Sequence, residues 1–86
     1  MKVTRESVAQ HLGDYLHGTL SLAGLVDWAE SAMYEGDFDK TQAALLSDVV
    51  ARIGVADVRA FGLTWEDCRD MLRSLGLSAR VDLVAA

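Results

Sequence analysis

The chain has 86 residues, 51% of them hydrophobic and 24% charged, with 13 acidic and 8 basic side chains giving a net charge of −5. That length holds one domain with a thin core, and that composition excludes a disordered polymer. No apolar run approaches the roughly 20 residues that cross a bilayer, and the acid excess works against a phosphate-binding surface.

The first helix is expected to start at Thr4, a good N-cap, with Glu6 in its positive first turn. Val8, Leu12, Tyr15 and Leu16 make its apolar stripe, and Gly18 is its left-handed terminator. Ser21 caps the second helix, with Leu20 and Leu25 at the spacing of a hydrophobic staple. Leu22, Leu25, Val26, Ala29, Ala32 and Met33 form its inner stripe, Trp28 widens it, and Gly36 ends it. Asp37-Phe38-Asp39 reads as the start of a third helix, with Asp39 and Gln42 as a variant capping box. Leu45, Leu46, Val49, Val50 and Ile53 give that helix its buried face, and Gly54 closes it.

A short fourth helix is expected over Val55 to Phe61, with Val58 inward and Gly62 as its stop. Thr64 caps a fifth, Asp67 reaches back to the cap, and Trp65, Cys68, Leu72 and Leu75 face inward before Gly76. The period then changes. Leu77, Ala79, Val81 and Leu83 alternate with Ser78, Arg80 and Asp82, which is the pattern of a strand with one apolar face. A strand needs an edge to pair with, and the candidates are Lys2-Val3-Thr4 or another copy of the chain. The expected fold is therefore mainly α: a compact bundle of four to five short helices, residues 1–86 in one domain, with a C-terminal β-strand.

The chemistry-bearing residues form no motif. His11 and Asp14 stand three apart on the first helix, with His17 further on, but two potential ligands without a third do not make a metal site. Cys68 lies between Trp65 and Leu72 on an inner stripe, where a free thiol is a core filler rather than a nucleophile. As the only cysteine, it can form no internal disulfide and points to no oxidising compartment. Met1 to Glu6 turns polar at once and shows no leader, so the expected location is the cytoplasm. Glu35, Asp37 and Asp39 lack the spacing of a calcium loop and read as caps and a solvated turn. Trp28 and Trp65 sit on apolar stripes and read as core anchors. No cofactor, metal or catalytic residue is implied.

Two stretches, Ser21 to Glu30 and Val50 to Cys68, resemble a family of small uncharacterised bacterial proteins, to which no catalytic residues are assigned. Tyr15-Leu16-His17-Gly18-Thr19-Leu20-Ser21, followed by a helix with Trp28, is similar to the opening helical hairpin of bacterial toxin-immunity proteins. That resemblance implies a small acidic protein that neutralises a basic partner.

The expected function is a non-catalytic protein-interaction module. Its carboxylates Asp14, Asp27, Glu30, Glu35 and Asp37 would meet a basic partner, and part of its apolar excess would be covered by that protein or by a homodimer. The alternative is a winged helix-turn-helix regulator with the Thr64 to Leu75 helix in the groove and Arg69 and Arg73 on phosphates. Against it stand Glu66, Asp67 and Asp70, which would face the DNA. Arg52, Arg59 and Arg80 are also spread among carboxylates rather than clustered.

Overall fold

The computed structural model describes residues 1–58 and 62–77. Its first element is β1, Lys2–Val3, and Thr4 then starts α1, Arg5–Leu16. The Thr4 hydroxyl accepts from the Ser7 amide at 3.1 Å and the Ser7 hydroxyl accepts from the Thr4 amide at 2.9 Å, closing a reciprocal box. Gly18 ends α1 at φ +80°, where an L side chain would be strained. The Gly18 and Thr19 amides donate to the Tyr15 and Asp14 carbonyls in a left-handed C-cap.

Ser21 opens α2, Leu22–Glu35, by accepting from the Gly24 amide at 3.0 Å, and Leu20 before it packs on the core as a staple should. Gly36 then leaves the helix in an extended conformation, and the chain enters β2, Asp37–Phe38. This corrects the expected helix start. The strands pair in parallel, Lys2 opposite Asp37 and Val3 opposite Phe38, with the Asp37 amide on the Met1 carbonyl at 2.6 Å and the Asp39 amide on the Val3 carbonyl at 2.9 Å. Asp39 is not a capping-box residue with Gln42. Its carboxylate accepts from the Thr41 amide at 3.1 Å and the Thr41 hydroxyl at 2.9 Å, a local turn that competes with helix. The third helix, α3, runs Ala43–Gly54, and its Gln42 cap makes no side-chain hydrogen bond.

The expected helix after Gly54 is also corrected over Val55 to Val58, and the remainder of it, residues 59–61, lies outside the described residues. Val55 to Val58 form turns, Ala56 is the buried residue, and Val58 is 47% exposed rather than inward. Thr64 starts the last helix, α4, Trp65–Ser74, with a capping box to Asp67. Gly76 closes α4 at φ +80°, with its amide on the Arg73 carbonyl and the Leu77 amide on the Leu72 carbonyl. The alternating segment expected to form a strand after Leu77 lies outside the described residues.

One core joins these pieces. Leu25, Ala29 and Ala32 of α2 face Leu46, Val49, Val50 and Ile53 of α3, the most extensive helix pairing in the fold. Alanines on α2 let the two backbones approach, and the branched side chains of α3 fill the space. Val8 and Leu12 of α1, Cys68, Leu72 and Leu75 of α4, and Val3 of β1 close the remaining sides. The fold is thus mainly helical, with four helices and a two-stranded parallel sheet among the described residues. Among them, no helix is long and apolar enough to cross a membrane.

Candidate interaction surface

Packing α2 against α3 and α1 leaves one side of α2 in solvent. Ala23, Asp27, Glu30 and Tyr34 recur at four, three and four residues, so they form a single exposed stripe opposite Leu25, Ala29 and Ala32. Tyr34 is 94% exposed at the end of that stripe and Met33 beside it is 48% exposed. Met33 was expected inside; its position at the margin of the apolar stripe leaves half of it in water. Glu35 is the last residue of α2, and Asp37 follows on β2, both exposed.

The structure therefore brings Asp27, Glu30, Glu35 and Asp37 to α2 and the strand it feeds. Asp14 lies apart on α1, where its carboxylate accepts from the Gln10 amide side chain at 3.0 Å. Sequence reasoning did not single out Tyr34. The signal was present, since it falls on the polar period of α2 rather than on the apolar one.

His11 does not join Asp14. Its Nδ1 lies 2.7 Å from the Ser7 carbonyl oxygen, so Nδ1–H is the donor of that hydrogen bond. The imidazole stacks on the Trp28 indole with ring centroids 4.0 Å apart and planes within 13°. This pair closes the seam between α1 and α2, and Trp28 packs on the core from it, whereas Trp65 is half-buried at the first position of α4. His17 is exposed, with Nδ1 on the Gly13 carbonyl at 2.8 Å.

Cys68 is fully buried. Desolvation, with the Asp67 carboxylate adding to it, pushes the thiol pKa up to about 11. A thiol in that environment is a weak nucleophile at neutral pH. Asp67 itself is held below the usual carboxylate range by the Thr64 amide and hydroxyl, with a smaller contribution from the Arg52 guanidinium. Arg52 reaches across from α3, donating to the Gly62 carbonyl at 3.0 Å with Asp67 Oδ2 at 3.5 Å, and so ties α3 to the start of α4. Arg69 is half-buried beside Asp70, Nε to Oδ1 3.5 Å, and Arg73 is exposed on the last turn.

A shallow cleft of about 310 Å³ opens at the sheet, lined by Lys2, Thr4, Asp37, Phe38, Asp39 and Lys40. Its two lysines and two aspartates balance in charge. Among the described residues, no three His, Cys, Asp or Glu side chains gather to hold a metal. No protein-family model, curated protein or solved structure matches the chain. The resemblances noted for Ser21 to Glu30, Val50 to Cys68 and Tyr15 to Ser21 thus rest on those residues alone.

Proposed function

We propose that the chain is a non-catalytic protein-interaction module that presents the outer face of α2 to a basic protein partner. The observation that carries the reading is the exposed stripe of Asp27, Glu30 and Tyr34. An aromatic ring left almost wholly in water costs hydration free energy, and tyrosine is enriched where interfaces concentrate their binding energy. Carboxylates around it would steer a cationic surface toward the ring and set the register. Glu35 and Asp37 extend the negative rim; Asp14 belongs to it only if the partner also reaches α1.

The most concrete form of this function is neutralisation of a basic toxin or enzyme in the cytoplasm, in the manner of immunity proteins. A homodimer is the other use of the apolar excess, but two copies of the acidic stripe repel each other, so a self-contact would have to lie elsewhere. The strand expected over Leu77 to Leu83 belongs to this proposal as an element that requires an edge, within the chain or across a copy. The DNA-binding alternative gains no support from the geometry. Glu66 and Asp67 occupy the first turn of α4, and Arg69 is half-buried beside Asp70.

The test compares the tagged chain with its Glu30→Lys/Tyr34→Ala variant in native lysate, with quantitative mass spectrometry and light scattering. The reading expects one stoichiometric basic partner that the double variant loses. Equal recovery by both chains rejects this face as the contact.

A further inference from the structure

We propose that the outer face of α2 selects arginine rather than lysine from a basic protein partner, with one guanidinium laid over the Tyr34 ring and hydrogen-bonded to the Glu30 carboxylate. The inference rests on the reading of that face given above and names the side chain that the face takes.

Three observations support it. First, Glu30 and Tyr34 are one helical turn apart on α2 and both are exposed, Tyr34 at 94%. That spacing sets their Cβ atoms about 5–6 Å apart on one side of the helix. A guanidinium serves both groups at once. Its plane lies over an aromatic ring, within about 6 Å of the centroid, while the N–H groups along its edge donate in pairs to a carboxylate. An ammonium is a compact, strongly hydrated point charge. It can approach the ring or the carboxylate, but it has no plane to stack and no edge to present.

Second, α2 carries one sign of charge. Leu22–Glu35 contains Asp27, Glu30 and Glu35 and neither lysine nor arginine. Glu35 stands on the last turn, where the helix carbonyls already make a negative end that favours a cation. A guanidinium over Tyr34 therefore gains from Glu30, from Glu35 and from the end of the helix together. Asp37 differs, since it has Lys2 opposite it in the sheet, so the face offered to a cation centres on α2 rather than on β2. Third, α2 is held from behind. Leu25, Ala29 and Ala32 are fully buried on the side that packs against α3. The backbone that carries Glu30 and Tyr34 is thus fixed before a partner arrives, which lowers the ordering cost of the contact.

Titration of the full chain at low salt with octa-arginine and with octa-lysine, followed by NMR, tests the assignment. Both peptides are expected to move the Glu30 and Tyr34 amides, with the arginine peptide binding about 5-fold more tightly. Its side-chain δ-methylene protons should shift upfield under the Tyr34 ring. Tyr34→Phe should keep the preference for arginine and Tyr34→Leu should remove it, with the α3 amides unmoved in both variants as the monitor of folding. Equal affinity for the two peptides overturns the proposal while leaving the acidic face as a general cation surface. A preference that survives Tyr34→Leu overturns it as well. If neither peptide moves the α2 amides, the reading of the face itself fails, and this inference with it.

Discussion

At the scale of the residue, burial and local hydrogen bonds decide what each reactive group can do. Cys68 is ionised only at high pH because its thiolate would stand in the core beside Asp67. The native chain should therefore resist iodoacetamide at pH 8 and react only after unfolding in urea; rapid native alkylation would contradict the burial. The linkage runs in one direction. The thiol pKa is raised from 9.0 to about 11 on folding, so its contribution to stability is whole below pH 9 and is lost as pH rises through 11. Urea midpoints should fall across that window in the natural chain by more than in Cys68→Ala, which itself costs about 1 kcal/mol at neutral pH for the lost packing. His11 shows how far a residue type alone can mislead. Its i, i+3 spacing to Asp14 suggests a polar pair, but the Ser7 carbonyl and the Trp28 ring satisfy it instead. Nothing in the local spacing marks a stack that depends on how α1 meets α2.

At the scale of the element, three side-chain caps were legible, while the expected Asp39 cap of α3 and the sheet were misread. Thr4, Ser21 and Thr64 all cap where their side chains predict, because capping is a contact made within four residues. Thr64→Ala should lower unfolding free energy by about 1 kcal/mol, measured by urea titration. The Asp67 carboxyl is held low by the same cap, so its contribution is present above its unfolded pKa and is lost as pH falls through the folded value. The Thr64→Ala variant should accordingly lose less stability than the natural chain on acidification below pH 3.8, the ordinary value for that carboxyl. β2 escaped the sequence because two residues carry no period, and its partner β1 lies 35 positions away by the register Lys2 to Asp37. Gly36 is the residue that admits the pairing. A Cβ there would meet the Ala32 carbonyl oxygen and lie 2.8 Å from Val3 Cγ2. Gly36→Ala should therefore cost about 1–3 kcal/mol and loosen the Asp37 amide in hydrogen exchange; an unchanged midpoint would show that the contact relaxes freely. The turns from Val55 to Val58 escaped for a related reason. A single apolar residue, Val58, suggested an inward face, and the buried position is Ala56.

At the scale of the whole molecule, the helical bundle was readable because the long stripes of α2 and α3 face one another, and the acidic face follows as their complement. The exposed side of α2 is what remains when Leu25, Ala29 and Ala32 are committed to α3. Substitutions on it should leave the fold alone: Glu30→Lys and Tyr34→Ala are each expected to change stability by no more than about 0.5 kcal/mol. Partner binding should respond differently, with Tyr34→Ala weakening it about 30-fold, equivalent to roughly 2 kcal/mol for an aromatic anchor, and Glu30→Lys acting mainly on the association rate. The most direct measurement is the affinity of the captured partner for the natural chain and for Glu30→Lys/Tyr34→Ala, as a function of salt, with melting of both chains recorded alongside. The account predicts equal melting, tight binding by the natural chain that weakens steeply as salt rises, and loss of binding in the variant. Equal affinity of the two chains, or binding indifferent to salt, would contradict it.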